Sequence, residues 1–116
     1  MTYDSNNIFA KILRGDIPCK KVHEDYHVLA FHDIAPVAPT HVLVIPKGAY
    51  TDAADFAARA SAAEIAAYYK ALGTIAAQLG VSEYRLVSNK GSESGQTVFH
   101  FHTHIIGGAQ LHGLVG

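Results

Sequence analysis

The chain has 116 residues, 49% of them apolar, and a formal net charge of −1. Chains of this size bury roughly two thirds of their unfolded surface without cross-links, so a single α+β domain over residues 1–116 is a sufficient expectation. Nine basic residues stand against ten acidic ones and neither sign forms a block, which argues against a general electrostatic grip on nucleic acid or an anionic membrane.

The opening "MTYDSNN" is polar and acidic, no apolar run approaches the ~18 residues of a spanning helix, and the single Cys19 has no internal disulfide partner. A cytoplasmic protein without a membrane partner is expected. Asn7 then caps a short helix through "IFAKILR", where Ile8, Ile12 and Leu13 share one side and Gly15 supplies the stop. Asp16-Ile17-Pro18 turns the chain.

Strands are expected near 21–24, 27–33 and 41–46, because these Val, Ile, Leu and Phe runs are too short between turn signals to be helices. The proline-fixed "APVAPT" links the last two. From Ser61 the pattern turns helical: Ser61 and Glu64 form a capping box, Gly80 ends the helix, and Ile65, Tyr69, Leu72, Ala76 and Leu79 repeat as its apolar stripe. Strands follow at 84–89 and through "TVFHFHTHII", separated by the loop "KGSESG". This order predicts a five-stranded antiparallel sheet with one long and one short helix.

On the last strand His100, His102 and His104 project from one face, exposed or lining a cleft, while Phe99, Phe101, Thr103 and Ile105 project from the other. A metal site is a poor use of that spacing. The outer Cα atoms lie roughly 13 Å apart on a straight strand, whereas a histidine-bound zinc sits within ~6 Å of its ligand's Cα and wants a tetrahedron. Two neighbours would need His41 or another distant ligand, and no CxxC or HExxH pattern helps. Catalysis suits the strand better: a central imidazole, oriented from one side, can attack phosphorus while its neighbour binds the phosphate.

"SGQTVFHFHTHII", together with "FHDIAPVAPTHVLVIPK" upstream, resembles the histidine triad nucleotide-binding family, and within it the purine nucleoside phosphoramidase branch, from Asn7 to about His112. The resemblance implies a homodimer whose two sheets join, acting without a cofactor on purine nucleotides. It implies that His102 is the nucleophile, that His104 contacts the α-phosphate, that His100 orients His102 and that His41 supports them. The expected reaction is hydrolysis of the P–N bond of adenosine or guanosine 5′-phosphoramidates, aminoacyl and lysyl adenylates being further candidates. Alternatives are cleavage of dinucleoside polyphosphates and a nucleotide-binding regulator with incidental turnover.

Read independently, "NKGSESGQT" is a candidate anion loop, since Gly91 and Gly95 let backbone amides converge on phosphate oxygens. By resemblance Asn89, Gln96 and Thr97 contact the phosphate or leaving group beside Gly95. Asp33, by default a turn former, is implied to bind the ribose diol, as an acceptor-only carboxylate suits two donors. Ile8, Phe9, Ile17, Phe31, His32 and Ile34 match the purine pocket, and Phe9 and Ile17 serve equally as core. Lys47 is as well explained as a solvated strand end. By the same resemblance the chain departs from close eukaryotic relatives at Ala49, where they carry histidine, and at Gly113, where they carry tryptophan; both departures bear on the leaving-group side.

Overall fold

The computed structural model describes residues 2–113. Its elements are α1 (Ile8–Leu13), β1 (Lys21–Glu24), β2 (Val28–His32), β3 (Thr40–Pro46), α2 (Ala53–Arg59), α3 (Ala62–Gln78), β4 (Tyr84–Val87), a 3-10 turn at Ser92–Ser94 and β5 (Thr103–Gly107). The strands form one antiparallel sheet in the order β1-β2-β3-β5-β4. No helix among the described residues is long and apolar enough to cross a membrane.

Alternation divides the sheet between two cores. Val28, Ala30, Val42, Val44 and Ile105 pack with Phe56 of α2, Phe101, and Tyr68, Leu72 and Ile75 of α3. Leu29, Phe31, Leu43 and Ile45 face the other way and close against Phe9 of α1. In register, His104 lies opposite Leu43, and His41 shares the parity of Leu43 and Ile45. The histidines are therefore on the α1 side.

Local chemistry sets the helix ends as expected. Asn7 accepts from the Ala10 amide, and Ser61 and Glu64 complete their capping box. Gly15 and Gly80 take φ of 83° and 74°, which an L side chain resists. Two details differ from the sequence reading. The buried side of α1 is set by Phe9 and Ala10, and Ile8 is largely exposed. On α3 the buried stripe runs through Tyr68, Leu72 and Ile75, leaving Tyr69 outward, because Tyr68 delivers its hydroxyl to the Val44 carbonyl at 2.8 Å.

Helix α2 was not anticipated, although its signals are present. Asp52 caps it by accepting from the Asp55 amide, and Asp55 pairs with Arg59 one turn later. Seven residues rich in alanine carry only one large buried side chain, Phe56, so periodicity has little to register.

The longest expected strand is shorter than its alternation suggests: residues 97–102 run outside the ladder, which begins at Thr103. The register pairing Val44 with Thr103 would bring Phe101 opposite Pro46. Proline has no amide to give, and the Phe101 amide donates instead to Tyr50 O at 2.7 Å. Alternation outlasts the ladder: Phe101 packs on Phe56 in one core and His102 on Phe9 at the other face.

Candidate active site

The hydrogen-bond partners of the histidines fix where each proton lies. His102 Nδ1 is 2.7 Å from the His100 carbonyl, and a carbonyl only accepts, so Nδ1 carries the proton. Its Nε2 makes no hydrogen bond within the described residues and presents a lone pair. The Phe9 ring edge meets the imidazole at 5.0 Å between centroids and 90°. Burial lowers the His102 pKa from its ordinary value, which keeps the ring neutral.

A second proton chain starts at a backbone amide. Val37 N–H donates to His41 Nδ1 at 3.1 Å, so His41 carries its proton on Nε2, which stands 2.9 Å from His104 Nδ1. His104 accepts there and holds its own proton on Nε2, directed away from His41. Burial, then repulsion from His102 and His41, pushes the His104 pKa down to about 4. The histidine strand thus presents a lone pair on His102 beside a donor on His104, with ring centroids 5.2 Å apart.

Asp33 Oδ1 accepts from the Ala35 amide at 2.8 Å, the turn-forming role, while Oδ2 lies 3.3 Å from His41 Nε2. Asp33, His41 and His104 bring three potential ligand atoms within 4.8 Å of one another. Donor chemistry opposes a resident zinc at this trio: an imidazole that accepts the Val37 amide at Nδ1 has its proton at Nε2 and offers no lone pair there. The residues do not fit a divalent ion while that amide bond holds.

His100 is fully buried and locked at both ring nitrogens. Nε2 donates to the Pro46 carbonyl at 2.8 Å, leaving Nδ1 to accept from the Tyr3 hydroxyl at 2.6 Å. Burial pushes its pKa down to about 4. Of the two expectations for the histidine face, exposed or cleft-lining, the structure removes the exposed one: His100 and His102 are buried and His104 is partly open. Tyr3 lay beyond the reach of sequence reasoning, since it meets His100 across almost the whole chain.

The loop 89–98 corrects the anion-loop expectation. Gln96 is buried, and its side chain is committed: Nε2 donates to Thr51 O and Val98 O, and Oε1 accepts from the Gly91 amide. The amides of Ser94, Gly95 and Gln96 donate to loop carbonyls. Gln96 therefore fastens the loop, and these amides do not converge on an outside anion. Asn89 and Thr97 hold no side-chain hydrogen bond among the described residues. Gly95 stands close enough that an added Cβ would approach the Asn89 amide nitrogen to 3.7 Å.

Phe9 and Phe31 meet edge to face at 5.5 Å and belong to the core beneath the histidines, so Phe9 is both core and site wall. Ile17 is half-buried, while Ile8 and Ile34 are exposed, Ile34 completely. His32 follows the parity of Val28 and Ala30, the opposite face, and is exposed where β2 ends. Lys47 pairs with Glu24 at 2.9 Å, a strand-end role. Ala49 is exposed and its carbonyl accepts from Arg59; Gly113 takes a φ of 130° in the last described turn.

Comparison with known proteins gives the family. The chain is 58% identical over 112 residues to a HIT-like protein of Azospirillum brasilense, covering 95% of this chain and 92% of that one. It is 43% identical to a 14 kDa zinc-binding protein of Zea mays over 93% of this chain and 86% of the relative. A structure named as a HIT family hydrolase from Legionella pneumophila superposes with a TM-score of 0.84 at 42% identity, over 90% of this chain and 95% of that one. The HIT domain pattern matches residues 14–111, and the chain belongs to the HIT domain family.

Proposed function

We propose that the protein is a nucleotide hydrolase that cleaves the P–N bond of purine nucleoside 5′-phosphoramidates through a nucleotidyl-histidine intermediate. The observation that carries this reading is the proton arrangement: an unprotonated Nε2 on buried His102 beside an Nε2–H on His104. A neutral imidazole held by an acceptor at Nδ1 is a competent nucleophile toward phosphorus.

In the first displacement the His102 Nε2 lone pair forms the N–P bond, the substrate P–N bond breaks, and the leaving nitrogen takes up one proton from solvent to depart as an amine. In the second, water attacks the same phosphorus, the bond to His102 breaks, and water gives up the proton that restores the balance. Nucleoside monophosphate is released. The His104 Nε2–H hydrogen-bonds the phosphoryl group through both steps, as a donor aimed at developing charge. Asn89 and Thr97 supply further donors, and Asp33 Oδ2 receives the ribose diol. Phe9, Phe31, Ile8, Ile17 and Ile34 supply the apolar wall for the base. No cofactor enters this chemistry.

The same reading includes a homodimer and a cytoplasmic protein. Support for the dimer comes from edge strand β4, which exposes Tyr84 and Leu86, and from a groove of about 350 Å³ lined by Ile65, Tyr69, Leu72, Leu86 and Phe101. Light scattering at micromolar concentration should give twice the chain mass.

Quenching the protein during turnover of adenosine 5′-phosphoramidate and mapping the adduct by mass spectrometry tests the function. A nucleotidyl group on His102 is expected. An adduct on another residue, or AMP binding with no turnover of any phosphoramidate, would overturn it. Faster cleavage of a diadenosine polyphosphate would reassign the substrate class.

A further inference from the structure

The proposed reaction needs His102 to hold one proton position and one orientation, and the group that does this is the His100 carbonyl. That carbonyl belongs to a peptide group anchored at its other end, where the Phe101 amide donates to Tyr50 O at 2.7 Å, and its remaining anchor is His100 itself. At this residue the ladder is absent, because strand pairing begins at Thr103. On its side chain His100 is held through its ring, by Pro46 O at Nε2 and by the Tyr3 hydroxyl at Nδ1. The Tyr3 ring also meets the imidazole edge-on, at 5.7 Å between centroids and 70°.

Tyr3 is not a loose end resting on the site. The segment behind it is tied at several points: the Asn7 side chain donates to Asp4 O at 2.7 Å, the Asn6 amide donates to Asp4 Oδ1 at 2.9 Å, and Arg14 donates to Ser5 O at 2.6 Å. Asn7 then caps α1, whose Phe9 packs on His102. One continuous segment therefore touches two triad histidines, Tyr3 at His100 and Phe9 at His102. Tyr3 also lies outside residues 14–111, the part matched by the family pattern.

We propose that Tyr3 is a positioning residue for the nucleophile: its hydroxyl fixes the His100 ring, and through the His100 carbonyl it holds the His102 Nδ1 proton and aims Nε2. The inference rests on the phosphoramidase reading for its effect on turnover, but not for its effect on His102. Without the hydroxyl, a buried ring nitrogen has lost its donor, and His100 can relax by turning its ring away from Pro46 or by shifting its tautomer. A turn of the ring pulls on the His100 Cα and, against the Phe101–Tyr50 bond, tilts the carbonyl that His102 depends on, while a tautomer shift breaks the Pro46 anchor that resists this tilt. Tyr3 touches no reacting atom in this scheme.

The test is Tyr3→Phe, which keeps the ring and removes one oxygen, read by two independent measurements. In nitrogen-15 NMR of the unliganded protein, the His100 Nδ1 resonance should move toward that of a free acceptor, and the His102 Nδ1 proton should exchange faster with water. In steady-state hydrolysis of adenosine 5′-phosphoramidate, kcat should fall about tenfold while KM stays within about twofold, the pattern of lost transition-state positioning. Unchanged exchange of the His102 proton would overturn the proposal, and so would altered exchange with wild-type kcat. If the wild-type protein turns over no phosphoramidate, the reaction assignment fails by itself, while the exchange measurement still decides whether Tyr3 positions His102.

Discussion

His41 Nε2 lies 2.9 Å from His104 Nδ1, and the proton between them is assigned by the Val37 amide on the far side of the His41 ring. One backbone donor in the proline loop thereby decides that His104 faces the site as a donor. The loop between β2 and β3 thus sets a proton position on the histidine face, although it contributes no group to the triad itself.

Replacing His41 with alanine should expose this dependence. The His104 ring would lose its donor at Nδ1, and kcat should fall by about 10². Burial and repulsion by His102 and His41 hold the His104 pKa down, so removing His41 lets it rise. The acidic limb of the kcat profile should move to higher pH. A profile unchanged in position would show that His41 does not tune His104.

His102→Ala should lower turnover by about four orders of magnitude or more, since no other group offers a free ring nitrogen at that place. AMP affinity should change little, because the remaining contacts persist. Calorimetric titration with AMP separates the two effects. Retained turnover in this variant would remove His102 from the nucleophile role.

Acidification should destabilise the fold before the carboxylates titrate. His100 has a folded pKa of about 4 against an ordinary value near 6.5, so the unfolded chain binds more protons between these limits. Its contribution is fully present above pH 6.5 and is lost as pH falls toward 4, amounting to roughly 3 kcal/mol. Asp55 and Glu24, held at about 2 by Arg59 and by Lys21 and Lys47 respectively, lose their contributions only at lower pH. Urea unfolding at closely spaced pH values should therefore show a decline beginning near pH 6.5, and a flat response down to pH 4.5 would contradict the buried neutral His100.

Gln96→Ala should cost about 2–3 kcal/mol by leaving Thr51 O, Val98 O and the Gly91 amide without their partner. Thr97→Val, by contrast, should leave stability within about 0.5 kcal/mol, because Thr97 is exposed, and should weaken turnover. Denaturant midpoints for the two variants, set beside their rates, distinguish the residue that builds the loop from the one that serves the ligand.

Zinc should not bind the Asp33, His41 and His104 trio in the micromolar range, since His41 keeps a proton on the nitrogen a metal would need. Calorimetric titration of the wild-type protein with zinc checks this directly. A one-to-one site abolished by His41→Ala would refute the proton assignment.

The sequence by itself determined the order of elements, the caps at Asn7 and Ser61, the turns at Gly15 and Gly80, and the side of the sheet on which His102 and His104 stand. These features follow from spacing and from the conformational limits of single residues, which are local properties. Helix α2 was missed because seven alanine-rich residues with one buried Phe56 leave no stripe to read. The early end of the last ladder could not be foreseen without the register, for it depends on Pro46 facing Phe101.

Only the tertiary structure decided what each site residue does with its protons. Tyr3 reaches His100, His41 reaches His104 and Gln96 reaches Thr51 across long stretches of chain, and a hydrogen bond carries no trace in the spacing of either partner. Two residues of similar promise in sequence, Gln96 and Asn89, separate for that reason: the Gln96 amide donates to Thr51 O and Val98 O, while that of Asn89 has no partner among the described residues. Local preference fixes which way a side chain points, while the partners it finds there fix its chemistry.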